Sequence, residues 1–305
     1  MSSTASTISK APSSRAGNHG LTFAGVLRSE WIKFRSLTST KLLVLFTFLA
    51  VIGVGVLAAW LRATAIEQVM KFGAGRPEAA TGSGAPAMTL DQAESVMAGQ
   101  GLNIYGIPNA GLQIGILVLG SLAVLLVASE FATGMIRSTL TAVPKRLPAF
   151  WAKAIVLVVV SYLLTLVASF ITFLASIPIL NGYGIHMGFD RDGVVSGIFL
   201  GGLYVAGVAV IGLSLGTLLR NPAGGIMVLV ALFFVLPFAT QLAGLIPGDF
   251  WMHVNEYVPS VAGGRMLEIG HKDGFIDPGV GALIFLAWIL VFLVPAVAIF
   301  KKRDV

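Results

Sequence analysis

Residues 129–146, SEFATGMIRSTLTAVPKR, concentrate polar groups between two long apolar runs. Glu130 is expected to end a helix, where its carboxylate opposes the helix dipole at a cost of about 0.3–1 kcal/mol. A cation should therefore compensate Glu130, and Arg137 and Arg146 are the candidates that lie near it in the sequence. The chemistry that these groups indicate is a charged junction at the end of a helix.

The same segment carries the signals of a short helix that projects from between two membrane spans. Gly134 can take the left-handed conformation that closes the preceding helix. Ser138 or Thr139 can cap a new helix over about 137–143, and Pro144 stops it. This helix is too small for catalysis, but its form suits a docking site for a cytoplasmic protein. An ordinary basic loop, the alternative, would not need this order of groups.

The composition indicates an integral membrane protein. Hydrophobic residues make up 56% of the chain and charged residues 11%, whereas soluble domains carry about 25% charged residues. Six apolar runs without Asp, Glu, Lys or Arg are long enough to cross a hydrocarbon core of about 30 Å. We therefore predict an all-α integral membrane protein with six transmembrane helices. The predicted spans are 42–61, 110–129, 154–180, 197–219, 225–242 and 281–300.

The positive charge of the chain follows this topology. If the N-terminus lies inside, most of the 20 Lys and Arg residues fall in cytoplasmic segments and most of the 14 acids in outer segments. This is the bias that the positive-inside rule describes. Both termini are therefore predicted to be cytoplasmic, and the net charge of +6 needs no nucleic-acid partner to explain it.

Two segments precede the first span. Residues 1–20 are rich in Ser, Thr, Ala and Gly, and we predict a disordered cytoplasmic tail. Residues 21–36 carry apolar side chains at helical spacing, which predicts an amphipathic helix in the cytoplasmic interface. Glu30, beside Trp31, falls within the apolar stripe of this helix. It lies either among headgroups near Lys33 or against the protein, paired with a cation there.

Other segments predict short helices and close packing. Thr89 and Gln92 fit a capping box, which predicts one short helix after the first span. The aromatic-rich segment 243–280 is expected to form short helices that dip part-way into the outer leaflet. In the fourth span, Gly212 and Gly216 form a small-xxx-small pair that allows close helix packing within the chain.

The sequence lacks the motifs of several catalytic classes. It has no phosphate-binding loop, no HExxH, no GxSxG and no Cys. The apolar runs contain no acid that could bind a coupling ion. His253 and Glu256 have the spacing H-x-x-E, but no second cluster supports a metal site. No catalytic, cofactor-binding or metal-binding residue is therefore predicted in this chain.

Three stretches carry a resemblance to a known family. They are LRSEWIKFRS before the first span, SEFATGMIRSTLTAVPKR after the second and YVPSVAGGRM before the sixth. Over residues 21–305 the chain resembles the membrane subunit, or permease, of ABC transporters of the type-2 exporter family, in its actinobacterial form. The second stretch fits the family pattern E-x-x-x-G-x-I/L-R-x-x-L-x-x-x-P-x-R at Glu130, Gly134, Ile136, Arg137, Leu140, Pro144 and Arg146.

The resemblance implies a function and a set of partners. It implies an elbow helix at 21–36, including Glu30, Trp31 and Lys33, and a coupling helix at about 137–143 within the cytoplasmic loop 130–153. The coupling residues would be Glu130, Gly134, Arg137, Leu140, Pro144 and Arg146. The partner would be a separate cytoplasmic ATPase that binds ATP and Mg²⁺, and two membrane subunits would pair in a bacterial plasma membrane.

Two alternatives stay open at this point. A membrane-embedded enzyme, such as an intramembrane protease, would need a catalytic pair on the spans, and none is visible in the sequence. A scaffold or regulator of the same fold that does not transport would need no further motif. The absence of charge in the spans mildly favours an apolar or amphiphilic cargo for an exporter.

Overall fold

The structure is a computed structural model of the chain. It describes residues 22–74, 88–99, 104–142, 146–191, 193–268 and 276–302. The predicted disordered tail at 1–20 lies outside the described residues, and so do Pro144 and both ends of the chain. The tail and the location of the termini therefore stay predictions.

The regular structure of the described residues is entirely helical. Three short elements of other helical types lie between the α-helices. They are a 3-10 helix (Ile104–Asn109), a π-helical turn (Ala231–Val235) and a second 3-10 helix (Val254–Tyr257). The α-helices are α1 (Phe23–Ser36), α2 (Thr38–Ala74), α3 (Leu90–Gly99), α4 (Leu112–Ala132), α5 (Met135–Ala142), α6 (Arg146–Asn181), α7 (Val194–Leu219), α8 (Pro222–Val230), α9 (Leu236–Ala243), α10 (Asp249–His253), α11 (Pro259–Arg265) and α12 (Pro278–Lys302).

Six of these helical segments are long and apolar enough to cross a membrane, which confirms the predicted fold class. Their exposed surfaces carry many large apolar side chains, as expected where lipid is the solvent. The segments are Thr38–Lys71, Gly106–Ala132, Arg146–Asn181, Val194–Leu219, Pro222–Ala243 and Pro278–Lys302.

Helix α7 forms the centre of the bundle and packs against α4, α6, α8 and α12. Glycine permits its closest approach to α4. A Cβ atom on Gly212 would lie 2.4 Å from the carbonyl oxygen of Gly120, and one on Gly216 would lie 2.7 Å from that of Val124. The predicted use of this glycine pair for packing within the chain is therefore confirmed.

Helix α2 is longer than the span predicted at 42–61. It continues to Ala74 because Ala59, Ala63 and Ile66, at helical spacing, are fully buried in a second apolar cluster. This cluster also contains Met97 of α3 and side chains from α6. The first span was therefore predicted too short at its end, because the helix continues for 13 residues beyond residue 61, to Ala74.

The fifth span is not one regular helix. Between α8 and α9 the helix widens to a π turn, in which the amide of Leu236 donates to the carbonyl of Ala231. Pro237 follows directly at the start of α9 and has no amide hydrogen to offer the preceding turn. A single wide turn is a known way for a helix to accommodate such a break.

The short helices predicted outside the spans are present. Thr89 and Gln92 form the predicted capping box: the Thr89 amide donates to Gln92 Oε1 at 3.0 Å, and the Gln92 amide donates to Thr89 Oγ1 at 3.4 Å. Helices α10 and α11 precede the last span, as predicted. Their insertion into the outer leaflet stays a prediction.

Candidate functional site

Four charged side chains from three helices form an ion cluster, defined here as Glu30, Lys33, Glu130 and Lys153. Lys153 Nζ of α6 donates to Glu30 Oε2 of α1 and to Glu130 Oε1 of α4, at 2.7 Å in both cases. Lys33 of α1 donates to the same Oε1 atom of Glu130. Two carboxylates and two ammonium groups are thus joined, and their formal charges cancel.

Most of the ion cluster is buried. Glu130 exposes 3% of its surface, Glu30 7% and Lys153 8%, whereas the Lys33 side chain is 28% exposed. Removing an ion from water costs several kcal/mol, and only close opposite charges offset that cost. Each charge in the cluster therefore depends on the others, and the cluster holds α1 against two spans.

Helix α1 presents Glu30 to the cluster because its apolar face turns towards the bundle. Thr22 caps the helix, with Oγ1 accepting from the amide of Gly25 at 3.2 Å. Val26, Glu30 and Phe34 recur every four residues, and all three are buried. The interpretation that Glu30 faces protein and pairs with a cation is confirmed, and the one that placed it among headgroups is wrong.

The cations that the described residues place on Glu130 are Lys33 and Lys153, from helices that are distant in the sequence. We expected Arg137 or Arg146; the side chain of Arg137 lies outside the described part of the structure, and its role as a partner of Glu130 stays a prediction. The reason is geometric: α4 ends between α1 and α6, so its last turn meets side chains from those helices. Arg146 begins α6 and is half-buried.

The junction between α4 and α5 forms as predicted at Gly134 but differs after it. Gly134 has φ of 71°, the left-handed conformation expected of a residue that closes a helix. The new helix begins at once, at Met135, so Ser138 and Thr139 lie inside α5 and do not cap it. The left-handed conformation is confined to Gly134, so Met135 resumes helical geometry directly and α5 needs no separate capping residue.

Helix α5 is anchored by one residue and otherwise lies at the surface. Ile136 is 3% exposed and packs with Phe150 and Phe300, while Ser138 is exposed. Arg137 and Leu140 belong to α5, but their side chains lie outside the described part of the structure. Their predicted roles in docking, like that of Pro144, stay predictions.

Cation-bearing ends of several helices meet at the same end of the bundle as the ion cluster. The Arg220 guanidinium, after α7, lies 4.7 Å from the centre of the Phe131 ring in α4. Phe131 in turn meets Phe300, near the end of α12, with ring centres 6.5 Å apart. Lys301 and Lys302 follow on α12. The structure thus brings together the basic segments that the topology prediction assigned to one side.

Trp31 lies on the outer side of α1. Its side chain is 44% exposed, and its ring stacks on Phe34 with ring centres 6.3 Å apart. An exposed indole beside cations is typical of a helix at a membrane interface. The interfacial position of α1 stays a prediction.

Lys153 belongs to the ion cluster but was not among the site residues predicted from the sequence. It stands directly before the predicted third span and was counted only as a cytoplasmic cation. A signal was present: Lys153 is the only charged residue in LPAFWAKAIVLVVV, and two acids near spans, Glu30 and Glu130, needed partners. Nothing in the sequence, however, brings residues 30, 130 and 153 together.

A second polar contact lies before the last span and joins the half-exposed His253 to the buried Glu256. His253 Nδ1 and Glu256 Oε1 are 3.1 Å apart, and Glu256 Oε2 accepts from the amide of Ile276 at 3.1 Å. Among the described residues, no group of three or more His, Cys, Asp or Glu could hold a metal ion. The hydrogen bonds of Glu256 link His253, at the end of α10, to Ile276 in the chain that enters α12.

The fold and the ion cluster define the class as a six-span helical membrane protein with a charged junction at one end of its bundle. No model of a known protein family matches the chain. None of the curated proteins compared with it matches either.

Proposed function

We propose that the protein is the membrane subunit of an ATP-driven ABC exporter that works with a separate cytoplasmic ATPase. The observation that carries this proposal is α5, a short helix held between two spans at the end where the ion cluster joins α1, α4 and α6. The resemblance of residues 129–146 to the coupling segment of type-2 exporter permeases supports the same assignment.

The contacts of α5 suit a helix that transmits movement. Ile136 anchors α5 in the bundle, and Gly134 connects it directly to α4. Glu130 lies one turn before Gly134 and is bound through Lys153 to α6 and α1. Separating these buried charges is costly, so a push on α5 would move the three helices together. The partner would supply ATP and Mg²⁺, and two membrane subunits would form the path.

The cation-rich end of the bundle is then the cytoplasmic end, in a bacterial plasma membrane. The convergence of Arg220, Lys301 and Lys302 near the ion cluster supports this orientation through the positive-inside rule. Asn181, where α6 ends, and the helices α10 and α11 would face outwards.

Single cysteines can test this orientation against a clean background, because the chain has no native Cys. A cysteine at Asn181 should react with a membrane-impermeant thiol reagent added to intact cells. Cysteines at Ser138 and Asn221 should react only after the cells are opened. All three positions are exposed in the structure, so lack of reaction would reflect sidedness. Labelling at Ser138 in intact cells would overturn the orientation.

Affinity purification tests the function itself. The tagged chain should co-purify with a protein that contains a phosphate-binding loop, and the complex should hydrolyse ATP. The chain alone should not hydrolyse ATP, because its sequence has no such loop. Recovery of the chain without an ATPase, from mild detergent and after crosslinking in cells, would favour the scaffold alternative over the exporter.

A further inference from the structure

A cavity of about 290 Å³ adjoins the ion cluster, on the side where α1 joins α2. It lies between the start of α2 and the last turns of α4. Its apolar lining comes from Leu37, Leu43, Leu122, Leu125, Leu126 and Met135. Leu37 and Met135 are exposed, at 42% and 49%, so the cavity opens towards the surroundings of the bundle.

The polar end of this cavity contains the carboxylate of Glu130, and one of its two oxygens has no hydrogen-bond partner among the described residues. Glu130 lines the cavity, and its Oε1 atom accepts from both Lys33 and Lys153. Its Oε2 atom is buried and has no hydrogen-bond partner among the described residues. A buried carboxylate oxygen without a donor is costly. Because Glu130 lines the cavity, a ligand that brings a donor to Oε2 would remove this cost.

The lining specifies the chemistry of a ligand. A cationic N–H donor would satisfy Oε2 with a charge-assisted hydrogen bond. Beside it, the partly exposed ammonium of Lys33 offers a partner for an anionic group. The leucines accept a hydrocarbon chain. A primary ammonium, a phosphate and an acyl chain, in this order, make up a phosphatidylethanolamine-type lipid.

We propose that this cavity binds a membrane lipid with a primary-amine headgroup. Its ammonium donates to Glu130 Oε2, its phosphate lies against Lys33, and an acyl chain lies along the leucines of α2 and α4. The site lies where α2 starts, at one end of a predicted span, which is the depth of lipid headgroups. The proposal concerns the chain alone and does not depend on an ATPase partner.

Headgroup selectivity measures this site directly. The purified full chain is titrated with phosphatidylethanolamine, phosphatidylcholine and phosphatidylglycerol of identical acyl chains, and bound lipid is counted by native mass spectrometry. We expect phosphatidylethanolamine to bind about tenfold more tightly than the other two, the size of one hydrogen bond to a charged group. The choline headgroup has no N–H donor, and the glycerol headgroup has no positive charge. Equal affinities for the three lipids would overturn the proposal.

Two variants locate the selectivity, and a third is their control. Glu130→Gln should reduce the preference to near unity, because its carbonyl oxygen stays with the two lysines and its NH2 group, which cannot accept from the headgroup, replaces Oε2. Leu125→Trp should also abolish it by filling the cavity without changing the ion cluster. Leu163→Trp, the same change at an exposed position of α6, should keep the full preference. A preference that survives Leu125→Trp, or displacement of the lipid by free ethanolamine at equal concentration, would contradict the assignment.

Discussion

Replacement of Lys153 by methionine is expected to destabilise the protein by about 3–5 kcal/mol, the usual cost of removing one partner from a buried ion pair. Methionine keeps the length of the side chain, so the loss reports charge and hydrogen bonding more than volume. Glu30, which is 7% exposed, would then lose the cation that the structure shows for it, and Glu130, which is 3% exposed, would keep only Lys33 of its two. The measurement is the free energy of reversible unfolding of the purified chain in detergent, determined by denaturant titration.

Two companion variants separate the cluster from a general effect of losing a lysine. Lys301→Met removes an exposed ammonium at the end of α12 and should change the free energy of unfolding by no more than about 0.5 kcal/mol. Combining Lys153→Met with Glu130→Gln removes one charge of each sign. The double variant should therefore lower the free energy of unfolding by less than the sum of the two single variants. A cost below about 1 kcal/mol for Lys153→Met would mean that the ion cluster does not hold these helices together.

Leu140→Asp is expected to release the ATPase from the complex while the chain still inserts normally. If α5 docks on the ATPase through one apolar anchor, truncating that anchor costs about 2 kcal/mol or more. A buried carboxylate in its place costs still more. A loss of about 3 kcal/mol weakens binding more than a hundredfold. The measurement is the amount of ATPase retained on the affinity-purified chain, together with export by the same cells.

The controls for this variant lie in the same segment. Ser138→Asp adds the same charge at an exposed position of α5 and should retain more ATPase than Leu140→Asp. Gly134→Val should act differently, because a Cβ there meets no atom within 4 Å but is forced to a φ of 71°. It should tilt α5, keep part of the ATPase and uncouple hydrolysis from export. Full retention and full export in Leu140→Asp would mean that α5 is a simple connector.

Local signals in the sequence were sufficient for the helical elements. Apolar run length predicted six spans, because a helix in lipid must satisfy its own backbone and present an apolar surface. The cap at Gly134 and the box formed by Thr89 and Gln92 were predicted from residue type alone. These features depend on interactions over three to five residues, which the sequence displays directly.

The tertiary structure decided the partners of those elements. Glu130 was recognised from the sequence as needing a cation, yet Lys33 and Lys153, at 97 and 23 residues' distance, provide it. Helix α2 extends past its apolar run because Ala63 and Ile66 are buried against other helices. Whether Glu30 faces lipid headgroups or protein was likewise decided only by the position of α6, which carries Lys153. The sequence by itself determined that six apolar helices form, since lipid and backbone geometry act locally. Which charges meet was decided only by packing, because the energy of a buried ion depends on neighbours that are distant along the chain.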